Sequence, residues 1–93
     1  MKKNGLNKIR AKLDKLDIKL LKIIKQRTSL VNMVLKEKKF KKEIVDKKRI
    51  SVILRRIKYK SIKLKIDTKI THKIWSSMIK AFIDYEFRNF KKK

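Results

Sequence analysis

The stretch from Ile9 to Leu35 carries one apolar stripe, with no proline or glycine to break the helix. Ile9, Leu13, Leu16, Leu20, Ile23 and Ile24 recur at steps of three and four, which stacks them on one side of a 3.6-residue spiral. Leu30, Val31, Val34 and Leu35 extend the stripe. The spacing predicts a first helix from about Asn7 to about Lys39. At 1.5 Å per residue it is about 50 Å long, whereas a compact chain of this size is only about 30 Å across. Such a helix projects beyond a monomer's core, and its stripe needs a second chain. An intertwined homodimer is the expected answer.

The rest of the chain has the same character. It has no proline, and its one glycine is Gly5, so strong helix breakers are nearly absent. The expected fold class is all-α, with three helices in a single domain over residues 1–93 and no internal repeat. The charged segment KKFKKEIVD connects the first helix to the second. Asp46 can cap a second helix from about Lys47 to Lys60, with Ile50, Ile53, Leu54 and Ile57 as its apolar positions. SIKLKI alternates, but it is too short and isolated to found a sheet, so it is expected as a loop or frayed turn. Asp67 or Thr68 can cap a third helix to about Asn89. Ile70, Ile74, Trp75, Met78, Ile79, Phe82, Ile83 and Tyr85 are its expected buried side, and the final FKKK is expected to fray.

Composition bounds the remaining classes. With no cysteine, a disulfide staple and a thiolate zinc site are both excluded. A chain this short buries about two-thirds of its unfolded surface, which again favours a partner subunit. No run of about 20 apolar residues is present, so no membrane span is expected. The first residues lack the uninterrupted apolar core of a signal peptide, and a cytoplasmic location is expected. The formal net charge is +23, which raises the prospect of a polyanion partner. The excess is almost all lysine, beside many isoleucines. Both have AT-rich codons, so most of these lysines read as a solvated face. Nonspecific nucleic-acid affinity would follow as a by-product; no specific nucleic-acid or membrane partner is expected.

Four polar residues lie on or beside apolar stripes. Arg27 interrupts the seam of the first helix, and Lys38, eleven residues on, shares its face about 16 Å away. Arg10 lies about 100° around from Arg27, so the two can address one site only if one of them comes from another chain. Glu86 follows Trp75, Ile79 and Phe82 at spacings of eleven, seven and four. Arg49, one turn before Ile53, is expected to point partly inward. One reading is snorkelling cations and internal salt bridges, with Arg27 or Lys38 paired to Glu86. The other is that inward cations short of acids await a small dianionic ligand.

IRAKLDKLDIKLLKIIKQR, followed by Lys38 and then VDKKR, resembles the all-helical class of chorismate mutases. The shared pattern is an Arg, two Asp, a second Arg, a Lys eleven residues later, and an Arg opening the second helix. ITHKIWSSMIKAFIDYEF looks like that family's third helix, and the resemblance spans about residues 7 to 88. It implies an intertwined dimer of three-helix chains with two active sites. The implied reaction is the Claisen rearrangement of chorismate to prephenate, in aromatic amino-acid biosynthesis. No metal, nucleophile or cofactor is needed. The resemblance implies that Arg27, with Arg10 from the other subunit, binds substrate carboxylates. Lys38 would donate to the ether oxygen, Arg49 would add positive field, and Asp46 would lie near the ring hydroxyl. Ile50 and Phe82 join the implied substrate-binding set. Asp14 and Asp17 could hold arginines in place, and His72 reads as a surface residue.

Two positions depart from the pattern. Ile50 stands where typical mutases carry a Glu that holds the ring hydroxyl. Glu86 replaces a late Gln, the second donor to the ether oxygen; a Glu donates only when protonated, which implies activity favouring acidic pH. An apolar residue after the Arg, and the gap from Lys38 to Arg49, also resemble the isochorismate pyruvate lyases. That branch runs another pericyclic reaction on an isomer, and it is the alternative function.

Overall fold

The computed structural model describes residues 2–91. Among these residues it contains three α-helices, one 3-10 turn and no strand, in the order α1 (Lys2–Glu37), the turn (Lys41–Glu43), α2 (Lys47–Lys63) and α3 (Thr68–Asn89). The all-α expectation holds. The fraying expected for residues 92 and 93 falls outside the described residues. The chain divides into two compact units, Met1–Val31 and Asn32–Lys93.

In the first unit α1 begins at Lys2, not near Asn7. Residues 2–6 carry no apolar periodicity, but no proline opposes the helix and Gly5 meets nothing that a side chain would strike. The stripe is uncovered in the single chain. Ile9, Leu13, Leu16, Leu20 and Ile23 all exceed half exposure. An amphipathic helix draws its stability from burying that face.

The second unit holds the end of α1, the turn, α2 and α3. Asp46 caps α2 by accepting from the Arg49 amide at 3.0 Å. Asp67, rather than Thr68, caps α3 by accepting from the Lys69 amide at 2.8 Å. Both caps satisfy amides that a helix start leaves without partners. Glu43 closes the 3-10 turn, its carboxylate accepting from the amides of Lys39 (2.6 Å) and Phe40 (2.7 Å). The Phe40 amide, followed by that of Lys39, holds the Glu43 carboxyl below its ordinary pKa. Slight burial opposes this, and the charges of Lys38 and Lys39 assist it.

SIKLKI, expected as a loop or frayed turn, is divided: its first three residues continue α2, and the turn is confined to Leu64, Lys65 and Ile66. α2 runs on to Lys63 and ends in a Schellman motif: the Ile66 amide donates to the Ser61 carbonyl, and the Lys65 amide to that of Ile62. Lys65 takes the left-handed conformation (φ 58°) that glycine usually supplies. Ser61 is drawn into the α2–α3 contact, where its hydroxyl meets Thr71 at 2.8 Å with both side chains buried. That contact also corrects the buried side of α3. Ile70 and Ile74 are exposed at 55% and 52%. Trp75, Met78, Ile79, Phe82, Ile83 and Tyr85 are half-buried, as expected, and the polar Thr71 and Glu86 join that side as buried residues. Leu35 and Ile44 are the buried apolar side chains among the described residues.

Candidate active site

Within the second unit, the end of α1 meets the last turns of α3. The Tyr85 hydroxyl donates to Asn32 Oδ1 at 2.9 Å and sets the two elements in register. One turn beyond Asn32 is Leu35, buried; three residues further, past the end of the helix, is Lys38. The Lys38 ammonium donates to Glu86 Oε1 at 2.8 Å and lies 3.5 Å from the Ile44 carbonyl. Their side chains are 17% and 10% exposed. Lys38, one of the two partners foreseen for Glu86, pairs with it. A lysine carries three N–H donors. One is committed to Glu86 and another is directed weakly at Ile44, which leaves capacity for an incoming acceptor.

Lys38 also lines an open groove of about 580 Å³ with Glu43, Val45, Asp46, Lys47 and Lys48. Asp46 stands at its rim with one carboxylate oxygen engaged in the α2 cap. Arg49 is exposed, not turned inward as expected. The cap at Asp46 fixes the first turn so that Ile50, half-buried, takes the inner position. Phe82, half-buried, lies one turn before Glu86 and meets the Tyr85 ring edge-on at 6.5 Å. The second unit thus brings Lys38, Glu86, Phe82, Ile50 and Asp46 onto neighbouring elements. Arg10 and Arg27 belong to the first unit, where Arg10 is exposed and Arg27 is half-buried. His72 is exposed, as expected.

Sequence reasoning missed the Glu43 turn, which precedes the groove, and the Asn32–Tyr85 bond, which sets α3 against α1. An Asn between Val31 and Leu35 was the available signal for the second. No cluster of metal-binding side chains is found among the described residues.

The family model for chorismate mutase type II matches residues 9–87. The chain belongs to that family. It is a family of isomerases, and its activity is the rearrangement of chorismate to prephenate, a step of aromatic amino-acid biosynthesis. The match spans both compact units. No curated protein and no solved structure matches the chain. Among the described residues, no helix is long and apolar enough to cross a membrane.

Proposed function

We propose that the chain works as a cytoplasmic homodimer and rearranges chorismate in two shared sites built around Lys38 and Glu86. The observation that carries the site is the 2.8 Å Lys38–Glu86 pair, held at low exposure beside an open groove. The uncovered stripe of α1 supports the dimer. A match that crosses both units supports a single domain completed by its second copy.

The rearrangement breaks a C–O bond and forms a C–C bond without moving a proton. The ether oxygen gains negative charge as its bond stretches. In this reading Lys38 donates to that oxygen, and Glu86, which pairs with Lys38, adds a second donor only when it carries a proton. Arg27 and Arg10 of the second copy bind the two carboxylates. Arg49 adds positive field, and Asp46 faces the ring hydroxyl. Ile50 and Phe82 pack against the ring. Fixing a flexible dianion in its reactive fold is itself worth several kcal/mol, up to roughly 10. A donor aimed at the developing charge is worth about 100- to 1000-fold in rate.

The test is loss of chorismate absorbance with prephenate formation, on the wild-type chain and on Arg27→Ala and Lys38→Ala. Wild-type turnover with at least roughly 100-fold loss in each variant is expected. No turnover by the wild-type chain between about pH 4 and 8 would refute the reading; this range spans the ordinary titration of a glutamate. Ile50 after Arg49 favours a second reading, isochorismate pyruvate lyase. Salicylate and pyruvate release from isochorismate, measured beside the chorismate assay, decides between them.

A further inference from the structure

The cations assigned to the substrate leave most of the positive charge without a role, and α2 carries the densest share. From Lys47 to Ile66 the sequence contains no Asp or Glu. α2 itself bears Lys47, Lys48, Arg49, Arg55, Arg56, Lys58, Lys60 and Lys63, all exposed. No carboxylate pairs with any of them among the described residues. Codon drift explains lysines better than arginines, and lysine outnumbers arginine 25 to 6 in this chain. Arg10, Arg27 and Arg49 belong to the proposed site; the adjacent Arg55 and Arg56 do not. Guanidinium is the better binder of phosphate, through its fixed fork of donors.

An aromatic ring stands among these charges. Tyr59 is 57% exposed, and the Lys63 ammonium sits 4.9 Å from its ring centroid. Arg55, Arg56, Lys60 and Lys63, which flank Tyr59, lie within about 12 Å of helix, one per about 3 Å, close to the spacing of about 3.4 Å between charges along one nucleic-acid strand. We propose that the solvent face of α2 binds single-stranded nucleic acid without sequence preference. Arg55, Arg56, Lys60 and Lys63 track the phosphates, and Tyr59 stacks on a base. An anionic membrane fits less well. Ile50, Ile53, Leu54 and Ile57 form the helix's apolar side, and that side is already half-buried within the second unit. This surface is independent of the proposed mutase site.

The test is fluorescence anisotropy of a labelled 20-nucleotide oligo-dT across a KCl series. It compares the wild-type chain with two charge-matched variants. One replaces Arg55, Arg56, Lys60 and Lys63 by Gln; the other replaces Lys8, Lys12, Lys15 and Lys19 on α1 by Gln. Helicity and chorismate turnover check that each variant is folded. The α2 variant is expected to lose at least about tenfold in affinity and about three units of log–log salt slope, at roughly 0.7 per phosphate contact. The α1 variant should lose less than about threefold, because it keeps the surface that tracks the strand. Tyr59→Ala should weaken binding at least about fivefold, and Tyr59→Phe should restore it. Equal losses in the two charge variants would overturn the proposal, since net charge alone would then explain binding. Wild-type affinity in the α2 variant would also overturn it, as would capture by anionic phosphatidylserine vesicles without capture by the oligonucleotide. An unchanged Tyr59→Ala would remove the stacking role.

Discussion

Glu86→Gln is the most informative single change. In the resting chain the Glu86 carboxylate accepts from Lys38 at 2.8 Å, with both side chains mostly withdrawn from water. A glutamine keeps the shape and offers a carbonyl to the same ammonium, so the contact survives without its charge. A hydrogen bond between charged groups contributes roughly 1 kcal/mol more than one with a neutral partner. The substitution should therefore cost about 1 kcal/mol of stability, or roughly 5 °C in Tm. Catalysis should move the other way. In the proposed site, an ionised carboxylate beside the ether oxygen opposes the charge developing there and donates nothing. Glutamine donates at every pH. One donor gained is worth up to about 100- to 1000-fold, reduced here because Lys38 already serves the same oxygen. The expected result is a kcat higher than wild type at neutral pH. Stopped assays of prephenate across the pH range, paired with circular dichroism, give both numbers. A folded Glu86→Gln chain whose kcat is lower than wild type at every pH would refute this reasoning.

Three further outcomes can be checked independently. Lys65→Gly should raise the melting temperature by several degrees, since relieving a β-carbon in the left-handed conformation gains about 1 kcal/mol. Glu43→Gln should lower stability at neutral pH. The folded-state pKa of Glu43 lies below its ordinary value, so its contribution is present above that value and is lost as pH falls through the folded one. The gap between wild type and variant in urea melts should then close below about pH 4, and a constant gap would contradict it. Leu16→Lys with Leu20→Lys places charge on the exposed stripe of α1 and should yield monomers in sedimentation velocity, with turnover lost alongside.

The helices were legible because no proline or internal glycine interrupts the apolar periodicity, and because α2 and α3 each follow a capping aspartate, Asp46 and Asp67. Their ends were less legible. Lys2 to Leu6 belong to α1 without any stripe to announce them, because an existing helix extends cheaply where nothing opposes it. Ser61 to Lys63 alternate like a strand, and only the buried meeting of Ser61 with Thr71 shows why the helix continues. Ile70 and Ile74 were read as buried because periodicity finds an apolar face, not what covers it. Arg49 was misplaced by one step for a similar reason: the Asp46 cap, not the average stripe, sets the first turn of α2. At the site, spacing could put Glu86 on an inward face, but it could not show that Lys38 reaches it. That contact depends on how α3 lies against the last residues of α1, which the Asn32–Tyr85 bond fixes.

The Lys38–Glu86 pair has one more consequence. In the proposed site an entering anion meets an ammonium whose charge an internal carboxylate already offsets. The remaining N–H donor can serve that anion without displacing Glu86, but the net attraction is that of a neutral pair. A small anion such as inorganic phosphate gains little there, whereas a ligand held by several groups at once needs no net charge at this point. On this reading Glu86 acts as a placeholder that favours multiply anchored ligands over small anions.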